Sequence, residues 1–461
     1  MKILLICNGY PPHRWAGTET YTAGIAEELS TRGHQVQVLC AGEWESGAQY
    51  WNGISNKSHR GVQVRRLNLN WRRAPDPASY LYDNPIIAKH VTEYLRELQP
   101  DVVHVTSCET LSASVLQSVN ESSIPLVLSL TDFWFLCPRT NLLRSDGVNC
   151  SGITTAWECL RCQLLGKRAY EWTRRVCSEN STSRLLLDLS RRPFFTRKRG
   201  LRGFACDMEE RKAFLTRMMR LPGVRLTASE FVRTVFVNSG ISDSIKVQPY
   251  GHDLSWLENY QGKTLSRLTR VGFIGQVVKE KGVHLLLEAA QQLQPLLGDQ
   301  FSLVVYGNTD KIPEYGERLR AMSTQIRNIE FAGTYQHSQS AAVFAGIDLL
   351  VVPSLWYDFP LIIHEAFATR TPVITTRLGG MAETVTHDLN GLLFERENVN
   401  DLAQQISRVV SEPGLLQRLQ AGIPDVKTIQ AEVNELEEAY GELIGKSIAK
   451  RPEAVQLMME T

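Results

Sequence analysis

The sequence lacks any run of the about 18–20 apolar residues that a bilayer-spanning helix needs. Its opening apolar stretch, Lys2 to Cys7, gives way at once to Asn8-Gly9-Tyr10-Pro11-Pro12. That is too short for a secretory leader and carries no small-residue cleavage site, so it reads as a strand. Net charge is also missing. The 50 Lys+Arg and 49 Asp+Glu leave +1, which excludes a chain basic throughout or an acidic tail, although a sum conceals local blocks. Nine cysteines, an odd number at irregular spacing, do not form a disulfide framework. They suit reduced thiols, and so a cytoplasmic protein, with contact to a membrane surface left open. There is no short-period repeat, no low-complexity tract and no Gly-x-Gly-x-x-Gly fingerprint, and the last absence disfavours a nicotinamide dehydrogenase.

What is present is 461 residues, 43% of them hydrophobic, beyond the length at which single cores stop growing. Two domains are expected. Short apolar runs at 2–7, 35–40, 101–105 and 125–130 read as buried strands. Between the first two, Tyr21, Ile25 and Leu29 share one face of a helix from about Thr20 to Arg32, and Gly33 ends it. The alternation restarts near Arg270, with strands at 271–275, 301–306, 348–353, 372–376 and 391–394. A helix over 283–297 aligns Val283, Leu286, Leu287, Ala290, Leu293 and Leu297. Near-continuous apolar strands alternating with helices predict an α/β fold. It comprises two Rossmann-like, doubly wound parallel sheets facing a central cleft, with ligands at the strands' carboxyl ends. The join falls near Val247–Asp253. The expected domains are 1–250, interrupted by a Cys-rich and basic insertion at about 137–222, and 251–430, followed by a helical segment at 431–461.

Three strand-to-helix loops carry candidate chemistry. In the first, Gly17-Thr18 stands before a helix, where free N–H groups favour an anion or a polar sugar group. A tight turn capped by Thr18 is the other reading. The second, Gly272 to Gly282, contains Gly275 and two lysines. Lys281 is assigned to phosphate contact and Lys279 to solvent. The third is residues 353–366, a strand end, a loop and a helix beginning near Pro360. The N–H groups of Leu361 and Ile362 would be free for a phosphate, and Glu365, one turn on, can accept two hydrogen bonds from a ribose diol. His364 is given no role. Leu378 to Glu383 reads as a further Gly-rich loop.

Taken in order, these pieces resemble the retaining family 4 (group 1) glycosyltransferases, with the two-domain GT-B fold. The resemblance rests on Gly17-Thr18-Glu19, Asp101-Val102-Val103-His104, Thr131-Asp132-Phe133-Trp134, Lys281-Gly282 and residues 353–394. It implies a nucleotide-sugar donor in the second domain, with Lys281 on the diphosphate and Glu365 on the ribose. Gly17 would approach the donor from the first domain. Three positions depart from the family pattern. Tyr357 stands eight before Glu365, where a second Glu is usual, and Asp358 is the carboxylate that replaces it. Gln276 stands for an Arg, and Thr131 for a His. Asp132 orients the acceptor hydroxyl or caps the following turn.

The implied reaction moves a hexose to a glycan or lipid-linked hydroxyl with retention. Lys281 and the helix start at Pro360 stabilise the departing diphosphate without a metal or other cofactor. A leaving phosphate oxygen takes the acceptor proton. A non-catalytic nucleotide-sugar-binding scaffold is the second reading, favoured by the altered carboxylate pair.

Cys137, Cys150, Cys159 and Cys162, spaced x12, x8 and x2, suggest either a structural zinc site or, preferably, reduced thiols. Residues 163–225 hold 16 Lys+Arg and 6 Asp+Glu, a local +10 that leaves −9 elsewhere. Within them Arg191-Arg192-Pro193-Phe194-Phe195-Thr196-Arg197-Lys198-Arg199 mixes cations with aromatics. The block is either a peripheral contact for an anionic membrane surface or lipid-linked acceptor, or a solvated basic face. No recognition motif supports nucleic acid as a partner.

Overall fold

The computed structural model describes residues 1–45, 47–165, 168, 170–172, 205–241, 244–356 and 359–459. The chain divides into two units, Met1–Tyr250 with Ile429–Thr461, and Gly251–Thr428. Both are α/β, as the alternation of strand and helix patterns predicts.

Ile3, Leu4, Leu5 and Ile6 are all fully buried, so β1 (Lys2–Cys7) must be covered on both faces, the condition for a central parallel strand. β2 (Gln35–Ala41) and β5 (Val102–Val105) flank it in parallel, with Leu5 opposite Val38 on one side and His104 on the other. Strands β3 (Trp51–His59), β4 (Val62–Leu69), β6 (Leu126–Leu130), β7 (Val224–Thr227) and β8 (Lys246–Val247) complete the order β3-β4-β2-β1-β5-β6-β7-β8. Only the β3–β4 pair is antiparallel. Its turn uses Arg60 and Gly61, both at positive φ, as a two-residue hairpin requires. The stretch expected as an insertion is the connection from β6 to β7. It contains a bridge between Leu143 and Asn149 and helices Ala156–Leu164 and Ala205–Met218. The basic run Arg191–Arg199 lies outside the described residues.

The second unit carries β9 (Thr269–Ile274), β10 (Phe301–Tyr306), β11 (Ile329–Gly333), β12 (Leu349–Val352), β13 (Val373–Thr376) and β14 (Gly391–Phe394). All are parallel, in the order β11-β10-β9-β12-β13-β14. Two apolar clusters cover its faces. One gathers Val271, Phe273 and Leu349 with Val283, Leu286 and Leu293 of the helix Val283–Leu297. The other packs Leu350 and Val352 on Ile363 and Phe367.

Four helices matter below: α1 (Gly17–Thr31), α2 (Val283–Leu297), α3 (Leu361–Ala368) and α4 (Ile429–Met459). The C-terminal helix α4 belongs to the first unit. Tyr21 of α1 donates to Glu432 at 2.9 Å, Arg32 pairs with Glu437 at 2.6 Å, and buried His104 meets the Tyr440 hydroxyl at 2.7 Å. Among the described residues no helix is long and apolar enough to cross a membrane.

Candidate active site

In each sheet the chain leaves two neighbouring central strands toward opposite edges: β1 and β5 in the first, β9 and β12 in the second. Such switch points open a crevice at the strands' carboxyl ends, where ligands of open α/β sheets bind. The sequence-derived candidates fall on the loops at these two places, except Asp132, which follows β6 beside β5.

In the second unit, the loop after β9 turns at Gly275 (φ +155) and ends in the short turn Lys279–Lys281. Gly282 then opens α2 at φ +72. A Cβ there would stand 1.9 Å from the Pro353 carbonyl oxygen, so this glycine lets the loop after β12 press against the start of α2. The two loops are also joined by the Leu355 N–H to the Glu280 carbonyl at 2.8 Å. Lys279 is exposed, whereas Lys281 is half-buried with its Nζ 5.4 Å from the ring centre of Trp356.

α3 begins one residue later than expected. Pro360 is its N-cap in extended conformation, and its carbonyl accepts from Ile363 N–H at 3.1 Å. Leu361 and Ile362 are therefore the first two helical residues, whose N–H groups lie beyond the reach of an i→i−4 bond. Glu365 follows on the same helix. Burial, with Asp253 as a second negative charge, pushes its carboxyl up to about 7. Burial raises the Tyr335 phenol, and the charge of Glu365 adds to that. His364 is a packed histidine, stacked on His252 at 4.5 Å and 18° and held neutral by burial. Residues Gly379–Thr384, expected as a loop, form a short helix.

In the first unit, Gly17 and Thr18 are the first two residues of α1 and do not precede it. The expected Thr18 cap is absent, and the hydroxyl donates instead to Thr131 Oγ1 at 3.0 Å. Asp132 accepts from the Trp134 N–H at 2.7 Å, which is the turn-capping contact. Burial, reinforced by Glu109 and then Glu19, pushes its carboxyl up to about 7. One partly buried carboxyl with a raised pKa thus stands in each unit, just past the carboxyl end of β6 in the first and at the β9/β12 switch point in the second.

Residues 16–180 match the family described as "Glycosyl transferase 4-like domain", and residues 262–424 match "Glycosyl transferases group 1". The chain belongs to the group 1 glycosyltransferases. It is 31% identical over 148 residues to an uncharacterized glycosyltransferase of Methanocaldococcus jannaschii, covering 32% of this chain and 40% of that protein. It is 25% identical over 177 residues to the capsular polysaccharide biosynthesis glycosyltransferase CapM of Staphylococcus aureus, covering 38% and 46%. The alignments thus span less than half the length of these curated relatives. Among solved structures, an Anabaena protein, HepE, in complex with UDP and glucose superposes with a TM-score of 0.60. The identity is 17%, over 96% of this chain and all of that one, and the fold is GT-B.

Of the site residues expected for a group 1 glycosyltransferase, the second unit brings Gly275, Lys281, Pro360, Leu361, Ile362 and Glu365 to the β9/β12 switch point. Asp358 and Tyr357 lie outside the described residues. Gly17, Thr18 and Asp132 stand by the carboxyl ends of β1 and β6. Sequence reasoning missed Trp356 and Asp253, which face Lys281 and Glu365, and Glu109, which faces Asp132. Asp253 follows the Pro-Tyr-Gly-His break that marked the domain join, a signal noticed for another purpose.

The four clustered cysteines are free and half-buried, and among the described residues no group of side chains could hold a metal ion. The sulfurs instead accept from neighbouring N–H groups, as Cys137 does from Arg139 at 3.4 Å and Cys150 from Gly152 at 3.5 Å.

Proposed function

We propose that this group 1 glycosyltransferase moves a hexose from a nucleoside diphosphate sugar to a hydroxyl of a glycan or lipid-linked acceptor, with retention. No metal or other cofactor enters the reading. The observation that carries it is the meeting of a half-buried lysine, a helix N-terminus and a half-buried carboxyl with a raised pKa at one switch point. Lys281 and the first N–H groups of α3 suit a diphosphate, because charge grows on that group as the bond between the sugar's anomeric carbon and the diphosphate oxygen breaks. Glu365, once ionised, suits a pair of ribose hydroxyls. Retention follows when the acceptor attacks from the face the diphosphate leaves, and a leaving phosphate oxygen then takes the acceptor proton. Asp132 would hold the acceptor hydroxyl. Asp358 would contact the donor sugar, and Gly17, Thr18 and Gly275 would line the approach to the donor. Support for a nucleotide-sugar comes from a neighbour of the same fold bound to UDP and glucose. A polysaccharide role is supported by the capsular relative.

The test is nucleotide release from a panel of donors in the presence of mixed acceptors. Lys281→Ala and Glu365→Ala should each lower kcat/KM by about 100-fold or more, and chelator should leave the rate unchanged. A protein that binds donors tightly but consumes none would instead be a nucleotide-sugar-binding scaffold. The basic run Arg191–Arg199 is proposed to contact anionic membrane surfaces. Equal sedimentation of wild type and a charge-neutral variant with anionic liposomes would end that part of the proposal.

A further inference from the structure

We infer that Arg211, in the connection from β6 to β7, is a positioning residue of the transfer reaction, acting on the acceptor through the turn Asp132–Trp134, which it holds by a backbone carbonyl and an indole face. This deepens the transfer reading above and rests on it, because it takes Asp132 as the group that holds the acceptor hydroxyl.

A guanidinium is rarely buried without a carboxylate to pair with it. Arg211, on the helix Ala205–Met218, is 6% exposed, yet among the described residues it forms no ion pair. The contacts it does make fall on one residue. Its Nη2 donates to the Trp134 carbonyl, and its guanidinium carbon stands 5.1 Å from the centre of the Trp134 ring. The Trp134 N–H in turn donates to Asp132 Oδ1 at 2.7 Å. The residue that Arg211 grips is therefore the one that aims the Asp132 carboxyl. Phe133 fixes the turn from within, with its N–H on the Thr140 carbonyl at 3.0 Å and its ring stacked on Phe236. Trp134 lines a cavity of about 480 Å³ at the carboxyl ends of β1 and β5, together with Asn8 and Glu109. Arg211 instead lines a separate cavity of about 320 Å³, with Leu136, Cys159 and Ile241. It stands behind the turn, so its influence on an acceptor passes through Asp132 and Trp134.

Charge adds to the geometry. Burial, then Glu109 after β5 and Glu19 of α1, favour the protonated form of Asp132, and Glu19 is itself paired with Arg14 at 3.0 Å. The Cys108 thiol and the Tyr250 phenol beside it are pushed up chiefly by burial and stay neutral. The Trp134 N–H and Arg211 act the other way. Burial lowers Arg211 to about 10, which leaves it charged at neutral pH. It also faces Tyr82, Cys137 and Cys159, and burial raises both thiols, so they bring no negative charge of their own. Accepting from an acceptor hydroxyl requires an ionised Asp132. Loss of Arg211 should therefore loosen the turn and shift the carboxyl toward its protonated form together.

The experiment is turnover of UDP-, GDP- and ADP-sugars with mixed acceptors by the full-length protein, followed from about pH 5.5 to 9. The rate is read at saturating donor, where titration of Glu365 in donor binding does not enter. Arg211→Gln removes the charge. Arg211→Met removes it with an apolar chain, a replacement that buried ion sites tolerate, and serves if the first variant does not fold. Either should lower kcat about tenfold with donor KM within about twofold, and move the acidic limb of the profile up by about half a pH unit or more. Arg211→Lys, which keeps the charge without the planar fork, should hold the limb within about 0.2 unit and recover part of the rate. Asp132→Asn should erase the limb, and adding Arg211→Met to it should cost less than about twofold more, because both changes act through one carboxyl. A limb that stays in place in a folded charge-free variant overturns the inference, as does a full tenfold loss on the Asp132→Asn background. A wild type that consumes no donor would defeat the transfer reading, and this inference with it. Loss of the limb in Asp132→Asn without any movement in Arg211→Met would defeat this inference alone.

Discussion

Glu365 is asked to be two things. Enclosed beside Asp253, its carboxyl is easier to keep protonated, with a pKa of about 7 against an ordinary value of 4.5. Accepting hydrogen bonds from a diol requires the ionised form. Because the folded-state pKa is the higher one, the unfolded chain releases this proton first as pH rises. Stability therefore falls between about pH 4.5 and 7 and is level above. The cost above pH 7 is on the order of 3 kcal/mol. Glu365→Gln should remove it, so chemical denaturation should show the variant gaining on wild type from pH 5 to 7.5. The same substitution should remove the rise in donor affinity expected as pH passes 7, and parallel pH profiles of the two proteins would refute the assignment. Glu365 was legible in the sequence because it sits one turn into a helix that follows a buried strand and a proline. Glu109 was not legible. It meets Asn8 across 101 positions of sequence, and only the adjacency of β1 and β5 brings them together. Thr18 misled for the same reason, since its hydroxyl partner is Thr131 on a distant loop and not the helix end beside it.

Among the elements, those read correctly are the ones whose burial is two-sided. A strand such as Leu349–Val352 is apolar throughout because both faces are covered, and a run of four before a turn is too short for a buried helix. The β3–β4 hairpin escaped notice because β3 is a largely exposed edge strand, Trp51–His59, with polar residues on either face. Its one local signal was Arg60-Gly61, the turn itself. The junction of the β9 and β12 loops depends on Gly282 in a way sequence could only hint at. Gly282→Ala would place a methyl 1.9 Å from the Pro353 carbonyl at a φ of +72, unfavourable for any side chain. The loops must part or the start of α2 must unwind. We expect a loss of about 2 kcal/mol or more in urea denaturation, together with weakened nucleotide-sugar binding. Wild-type stability and binding in Gly282→Ala would show that the close approach has no part in the site.

At the scale of the whole molecule, the sequence marks a helical segment after residue 430 but not which unit it completes. That information is carried by partners far apart in the chain: Tyr21 with Glu432, Arg32 with Glu437, His104 with Tyr440. These contacts put Val433, Leu436 and Tyr440 fully inside the first unit. His104 is held between Tyr440 and Ser129 and kept neutral by burial, which lowers its pKa to about 3. It is a structural histidine, although it ends one of the motifs that carry the family resemblance. Tyr440→Phe would leave its Nδ1 buried without a partner, and should cost the first unit about 1–3 kcal/mol. Removing residues 429–461 should do far more, because it uncovers α1 and takes Tyr440 from His104 and Glu432 from Tyr21 together. The second unit, Gly251–Thr428, contains its own sheet and both apolar clusters and loses none of them. The truncated chain should therefore lose protease resistance across residues 1–250 while keeping a thermal shift with nucleoside diphosphates. If both halves stay resistant, the helix is an appendage. If both fail, folding of the second unit depends on the first, and the donor site cannot be treated as self-contained.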